Sequence, residues 1–185
     1  MTALYVGIAV VVAAPIWFVL TYNGLVRLRN EVRNAWSQID VQLKRRHDLI
    51  PNLVNTVKGY AAHERTTLEE VVAARQRATE ARGAAEVGRA EGALSEALGR
   101  LFALAESYPN LKANENFLAL QEELTTTENR VAFARQHYND RVMALNTRIE
   151  SVPSNLVASL GGFHREELFE LAAPSEREVP TVQFV

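Results

Sequence analysis

The densest chemistry in the sequence is Lys44-Arg45-Arg46-His47-Asp48, three residues ahead of Pro51. An imidazole beside a carboxylate is the usual material of general acid-base work, and a guanidinium binds anions or pairs with carboxylates. Pro51 removes one helical N–H and crowds the carbonyl four residues earlier, that of His47, so a bend or a water-filled opening is expected there. Gln42 and Arg46 fall where an apolar stripe expects hydrocarbon. Arg46 is therefore predicted to enter the body of the protein and meet a carboxylate, with Glu122, Glu123 and Glu128 as candidates. The structural reading of Gln42, Arg46, His47, Asp48 and Pro51 is a buried polar network that fixes helix register without adding net stability. The functional alternative is a ligand or partner site at the proline.

Other chemistries lack their residues. Di-iron sites in helical bundles use paired Glu-x-x-His motifs. The residues three before His47, His63, His137 and His164 are Lys44, Tyr60, Ala134 and Gly161, none of them a glutamate. His63-Glu64 has no second histidine at zinc-protease spacing. Ser37 and the threonines at 125–127 have no histidine and acid nearby in sequence. With no cysteine there is no thiolate ligand, thiol nucleophile or disulfide framework. No glycine-rich phosphate loop is present. The expectation is a non-enzymatic protein with no cofactor, no metal and no catalytic residues. The 20 basic and 22 acidic side chains, net charge -2, give no general pull toward nucleic acid.

The elements that position these residues are helices. Apolar or small side chains recur every three or four residues from Leu25 through Val32, Trp36, Ile39, Leu43, Ile50, Leu53 and Val57 to Tyr60, and no turn signal interrupts them before Lys58-Gly59. Shorter helices are predicted over His63–Arg82 and Arg89–Ser107, and a last long one over Asn114–Glu150, with Pro153 beyond its end. Two long helices with two short ones between them suit an antiparallel four-helix bundle over 23–152. If Gly83–Gly92 stayed helical, three long helices would result instead. An even number of helices returns Pro153 to the side from which the first helix started.

Thr2 to Thr21 carries no charge, and about 20 helical residues span a hydrocarbon core of about 30 Å. Residues 1–22 are therefore read as a transmembrane segment in membrane lipid. Tyr5, Trp17 and Tyr22 mark its interfaces, and Arg27, Arg29 and Arg33 follow it. The positive-inside rule places the N-terminus outside and the body on the cytoplasmic face of the plasma membrane. Lys44–Arg46 lie too far along the helix to reach that membrane, because the Debye length is only about 8 Å.

Three stretches, Tyr22–Glu64, Ser107–Thr147 ("SYPNLKANENFLALQEELTTTENRVAFARQHYNDRVMALNT") and Pro153–Phe163 ("PSNLVASLGGF"), together closely resemble the LemA family of bacterial membrane proteins. The resemblance implies a short outer N-terminus, one transmembrane helix and a cytoplasmic helical bundle. It implies no catalytic function, and it brings links to magnetosome formation and to a membrane metalloprotease of the HtpX type as a possible partner. The tail, 153–185, is amphipathic and then extended. Leu156, Val157, Leu160, Phe163, Leu168, Phe169, Val182 and Phe184 are its candidate contacts with a partner or with further copies in a homo-oligomer. Alternatively, the tail caps the bundle end or rests at the membrane interface.

Overall fold

The computed structural model describes residues 2–61 and 63–170. Among them there is no strand, and the all-α expectation holds. The elements are α1 (Thr2–Tyr60), α2 (Arg65–Glu80), α3 (Ala84–Ala105), α4 (Pro109–Lys112), α5 (Glu115–Glu150) and α6 (Ser154–Leu160). Val182, Phe184 and the extended segment predicted around them lie outside the described residues.

The described chain divides into two compact units. One takes 2–40 and 133–167; the other takes 41–132 and 168–170, so α1 and α5 each contribute to both.

The second unit is a four-helix assembly. Ile50, Leu53 and Val57 of α1, Val71 and Ala74 of α2, Leu94, Leu98 and Leu101 of α3, and Phe117 and Leu124 of α5 form one buried cluster. Phe102 and Phe117 meet edge to face, with ring centroids 6.2 Å apart. The turn from α2 to α3 occupies only Ala81, Arg82 and Gly83. Gly83 adopts φ 78°, a left-handed conformation that suits glycine, and Glu86 Oε2 accepts the Arg82 N–H at 3.1 Å. That turn excludes the three-helix alternative. It also corrects the start of α3, which begins at Ala84 rather than near Arg89, with Gly88 and Gly92 inside the helix. A glycine costs a helix interior about 1 kcal/mol, which the burial of Val87, Leu94 and Leu98 on the same helix offsets.

The first unit pairs α1 with α5. Leu25, Val32, Ala35 and Ile39 are buried on α1, as are Tyr138, Val142 and Leu145 on α5. Trp36 and Tyr138 meet edge to face, ring centroids 5.3 Å apart. The segment after α6, to Glu167, belongs to this unit. Asn146 holds it at two points, donating from Nδ2 to the Glu166 carbonyl at 2.9 Å and accepting the Glu166 N–H at Oδ1 at 3.0 Å.

Candidate functional site

Arg46 and His47 occupy one turn of α1, in helical register with Ile50 and Leu53, and both are buried. Facing them on α3 is Glu91, 1% exposed, in register with Leu94 and Leu98. Arg46 Nη1 donates to Glu91 Oε2 at 3.0 Å, and His47 Nε2 lies 2.6 Å from Glu91 Oε1. With Glu91 ionised, Nε2 is the protonated ring nitrogen, since a carboxylate only accepts. Both carboxylate oxygens are thus taken by adjacent residues of a single helix turn. Arg46 Nη2 donates to Ser95 Oγ at 2.8 Å, and that hydroxyl donates onward to Glu128 Oε1 at 3.2 Å.

The sequence reading placed a carboxylate from the last helix beside Arg46. Glu128 of α5 lies 3.7 Å from Arg46 Nη2, but its side chain is 57% exposed and it is the secondary partner. Glu123 instead takes Arg45, at 2.6 Å from Nη2, in a surface pair, and Glu122 is exposed. Asp48 is exposed and stands outside the cluster. Gln42 is half-buried one turn before Arg46. Its Oε1 and the Arg46 Nε are buried without a protein hydrogen-bond partner.

Pro51 does what its chemistry requires, with a different outcome at the vacated carbonyl. α1 stays helical through it, and the His47 carbonyl, deprived of its helical donor, accepts Arg75 Nε–H from α2 at 2.7 Å. The expected opening is therefore filled by a guanidinium. Arg75→Met should cost about 1 to 3 kcal/mol, because it leaves that carbonyl unsatisfied. In a Pro51→Ala background the restored backbone N–H competes for the same oxygen, and the cost of Arg75→Met should shrink. Urea unfolding of the four variants in the cycle measures the coupling.

In the first unit, residues 11–20 of α1 are all exposed, and Thr21, directly after them, is buried. By length and composition, α1 is long and apolar enough near its N-terminus to cross a membrane. Tyr5, Trp17 and Tyr22 are exposed. Arg27 pairs with Glu31 at 3.0 Å, Arg33 is exposed, and the Arg29 guanidinium sits 5.0 Å from the centre of the Phe163 ring. Glu31 also accepts from Arg141 at 3.3 Å, and the hydrogen bond from Arg27 holds its carboxyl below the usual range. Its contribution is present above the ordinary carboxylate pKa and is lost as pH falls through the lowered one.

Tyr138 O–H donates to the Glu167 carbonyl at 2.9 Å. Burial, with Glu166 and Glu167 nearby, pushes its phenol up to about 12. A raised acid keeps its stabilising effect below its ordinary pKa of 10.0 and loses it as pH rises through about 12. Titration of phenolate absorbance should show one tyrosine ionising near 12 that is missing in Tyr138→Phe.

The candidate contacts of the tail divide. Val157, Phe163 and Phe169 are buried in their own chain, Leu168 is half-buried, and Leu156 and Leu160 are exposed at 64% and 79%. Phe169 lies in the second unit, where the Glu170 backbone crosses α3 at Gly88.

The model of the LemA family matches residues 35–184. The chain belongs to the LemA family. Among curated relatives of this LemA-family chain, magnetosome protein MamQ 2 of Paramagnetospirillum magneticum is 25% identical over 204 residues, covering 96% of this chain and 75% of the relative. Magnetosome protein MamQ of Magnetospirillum gryphiswaldense is 24% identical, covering 97% and 76%. Protein LemA of Metamycoplasma hominis is 25% identical over 163 residues, covering 86% and 73%. Glu91, Ser95 and Arg75 were missed in the sequence. The signal for Glu91 was its register with Leu94 and Leu98, obscured by the glycines on either side.

Proposed function

We propose that this LemA-family protein is a non-enzymatic, membrane-anchored helical scaffold whose body lies on the cytoplasmic face, where it self-associates or holds a membrane protein. The burial pattern of α1 carries the reading. Ten consecutive residues, 11–20, are uncharged and exposed, and from Thr21 the same helix begins to bury a side chain every few residues. A stretch of that kind in water would be an unusually large apolar surface, whereas in a bilayer it is matched to its solvent. Arg27, Arg29 and Arg33, just beyond it, support the cytoplasmic orientation. The relatives named as magnetosome proteins carry the name of an assembly, which accords with a structural role. An HtpX-type metalloprotease is the candidate partner that the family resemblance supplies.

The test is the native particle extracted in mild detergent, its mass read by mass photometry and its composition by mass spectrometry. A particle of several 20.6 kDa chains, or one holding a second protein, supports the scaffold. A lone chain overturns it.

The second reading, a ligand site beside Pro51, draws on the unpartnered Arg46 Nε and Gln42 Oε1. It requires that Arg46→Ala abolish function while leaving the thermal midpoint in place. The buried pairing with Glu91 favours loss of both together.

A further inference from the structure

We infer that α6 is a second membrane contact, a short helix lying in the interface of the same bilayer that α1 crosses, with Leu156 and Leu160 set among the lipid chains. The inference rests on the membrane reading of α1 and adds to it a surface that the N-terminal segment does not include.

α6 has two apolar faces. Ser154, Val157 and Ala158 are 3%, 1% and 1% exposed, so one face packs into the first unit. The other presents Leu156 and Leu160, one turn apart, with Val152 one further turn back in the preceding turn. These three are 64%, 79% and 81% exposed, more than most apolar side chains of the unit outside the N-terminal segment. A seven-residue helix that buries one face and on the other exposes two leucines, with the small Ser159 beside them and Asn155 at the edge, is amphipathic in the way that suits a boundary between protein and lipid.

Its position identifies the occupant. Phe163, just after α6, meets Tyr22 edge to face with ring centroids 5.6 Å apart. Gly161 lies so close that an added Cβ would come within 3.1 Å of the Tyr22 ring. Tyr22 lies two residues past the exposed apolar stretch of α1, next to Thr21, where burial begins. The turn after α6 is therefore at the level where α1 leaves the bilayer, and the exposed leucines lie beside that exit. The Arg29 guanidinium over the Phe163 ring adds positive charge just beyond this level, which suits an anionic leaflet. Lipid is accordingly the occupant, in continuity with the surface α1 already presents to it.

The chain has no cysteine, so single cysteines report cleanly. The full chain, carrying Leu156→Cys or Leu160→Cys, is spin-labelled and reconstituted in vesicles of phosphatidylcholine and phosphatidylglycerol. Accessibility to oxygen, which partitions into lipid, is compared with accessibility to a water-soluble nickel chelate. Val12→Cys serves as the reference in the apolar stretch, and Met143→Cys, at an exposed position of α5, as the aqueous reference. Labels at 156 and 160 should favour oxygen over nickel several-fold relative to 143, at a shallower depth than 12. If 156 and 160 match 143 while 12 reports lipid, the inference fails and the membrane reading of α1 stands. If 12 also reports water, that reading fails and takes the inference with it. Labels at 156 and 160 shielded from both reagents would mean that protein covers α6, which also overturns the inference.

Discussion

Glu91→Ala is expected to lower the unfolding free energy by about 3 to 5 kcal/mol, the largest loss from any single charged residue in the chain. The reason is what it leaves behind. Arg46, its side chain 4% exposed, would lose its main counter-ion and could not turn to solvent, and His47 would lose the acceptor 2.6 Å from its Nε2. Glu128 would be a poor substitute, because at 3.7 Å and 57% exposed it is already shared with water. A loss of that size is comparable to the whole stability of many domains, about 5 to 15 kcal/mol. The same cluster should nonetheless be replaceable as a set. Arg46→Met, His47→Leu and Glu91→Leu together remove the buried charges and refill the space with hydrocarbon, and such exchanges are often neutral or stabilising. Chemical unfolding followed by far-ultraviolet ellipticity, in detergent, measures both variants. A Glu91→Ala loss below about 1 kcal/mol would mean that water reaches the cluster, and the ligand reading beside Pro51 would gain at the expense of the structural one.

If the triple variant folds well yet no longer assembles, the cluster serves specificity: it selects the register of α1 against α3 within the second unit. Arg46 can make its Nη1 and Nη2 hydrogen bonds together only where Glu91 and Ser95, one turn apart on α3, both face it. A slip by one helical turn would leave only one of the two in reach, with Val87 or Gly99 in place of the other. The scaffold proposed above would need a body with one packing more than an extra increment of stability, and this pairing would supply that constraint.

The long helices were legible in the sequence because periodicity is written locally. The stripe through Leu25, Val32, Ile39, Leu43, Ile50 and Val57 required no knowledge of what it faces, and each of these residues is buried. Half of the polar site was legible for a similar reason: Arg46 interrupts an apolar stripe, and Pro51 frees a carbonyl at a calculable position. The partners were hidden. Glu91 sits between Gly88 and Gly92, at the blurred start of the predicted Arg89–Ser107 helix, where the two glycines weakened the apolar pattern that would have set its face. Arg75 could not be singled out, because its contact with the His47 carbonyl depends on how α1 and α2 lie together. Gly88 itself looked like a weakness in a helix. Its reason lies more than 80 residues away in sequence, at Glu170.

Gly88→Ala is expected to destabilise, against the usual direction of that exchange. In an ordinary helix interior alanine gains about 0.5 to 1 kcal/mol over glycine. At Gly88 an added Cβ would stand 2.1 Å from the Glu170 carbonyl oxygen and 2.9 Å from its carbon, and backbone cannot yield as a side-chain tip can. The segment around Glu170 would have to lift from α3. Phe169, 1% exposed, would come with it, forfeiting about 1.5 to 3 kcal/mol of burial. Set against the helical gain, the net loss should be about 1 to 2 kcal/mol. Gly99, on the same helix with nothing within 4 Å of an added Cβ, is the control, and Gly99→Ala should stabilise by about 0.5 to 1 kcal/mol. The decisive comparison is made in a Phe169→Ala background, where the segment is already loosened. There Gly88→Ala has little left to displace, so its effect should fall toward zero or reverse sign. Hydrogen exchange over 163–170 should rise in Gly88→Ala and stay unchanged in Gly99→Ala. If Gly88→Ala stabilises the chain as much as Gly99→Ala does, the segment does not bear on α3, and the burial of Phe169 needs another explanation.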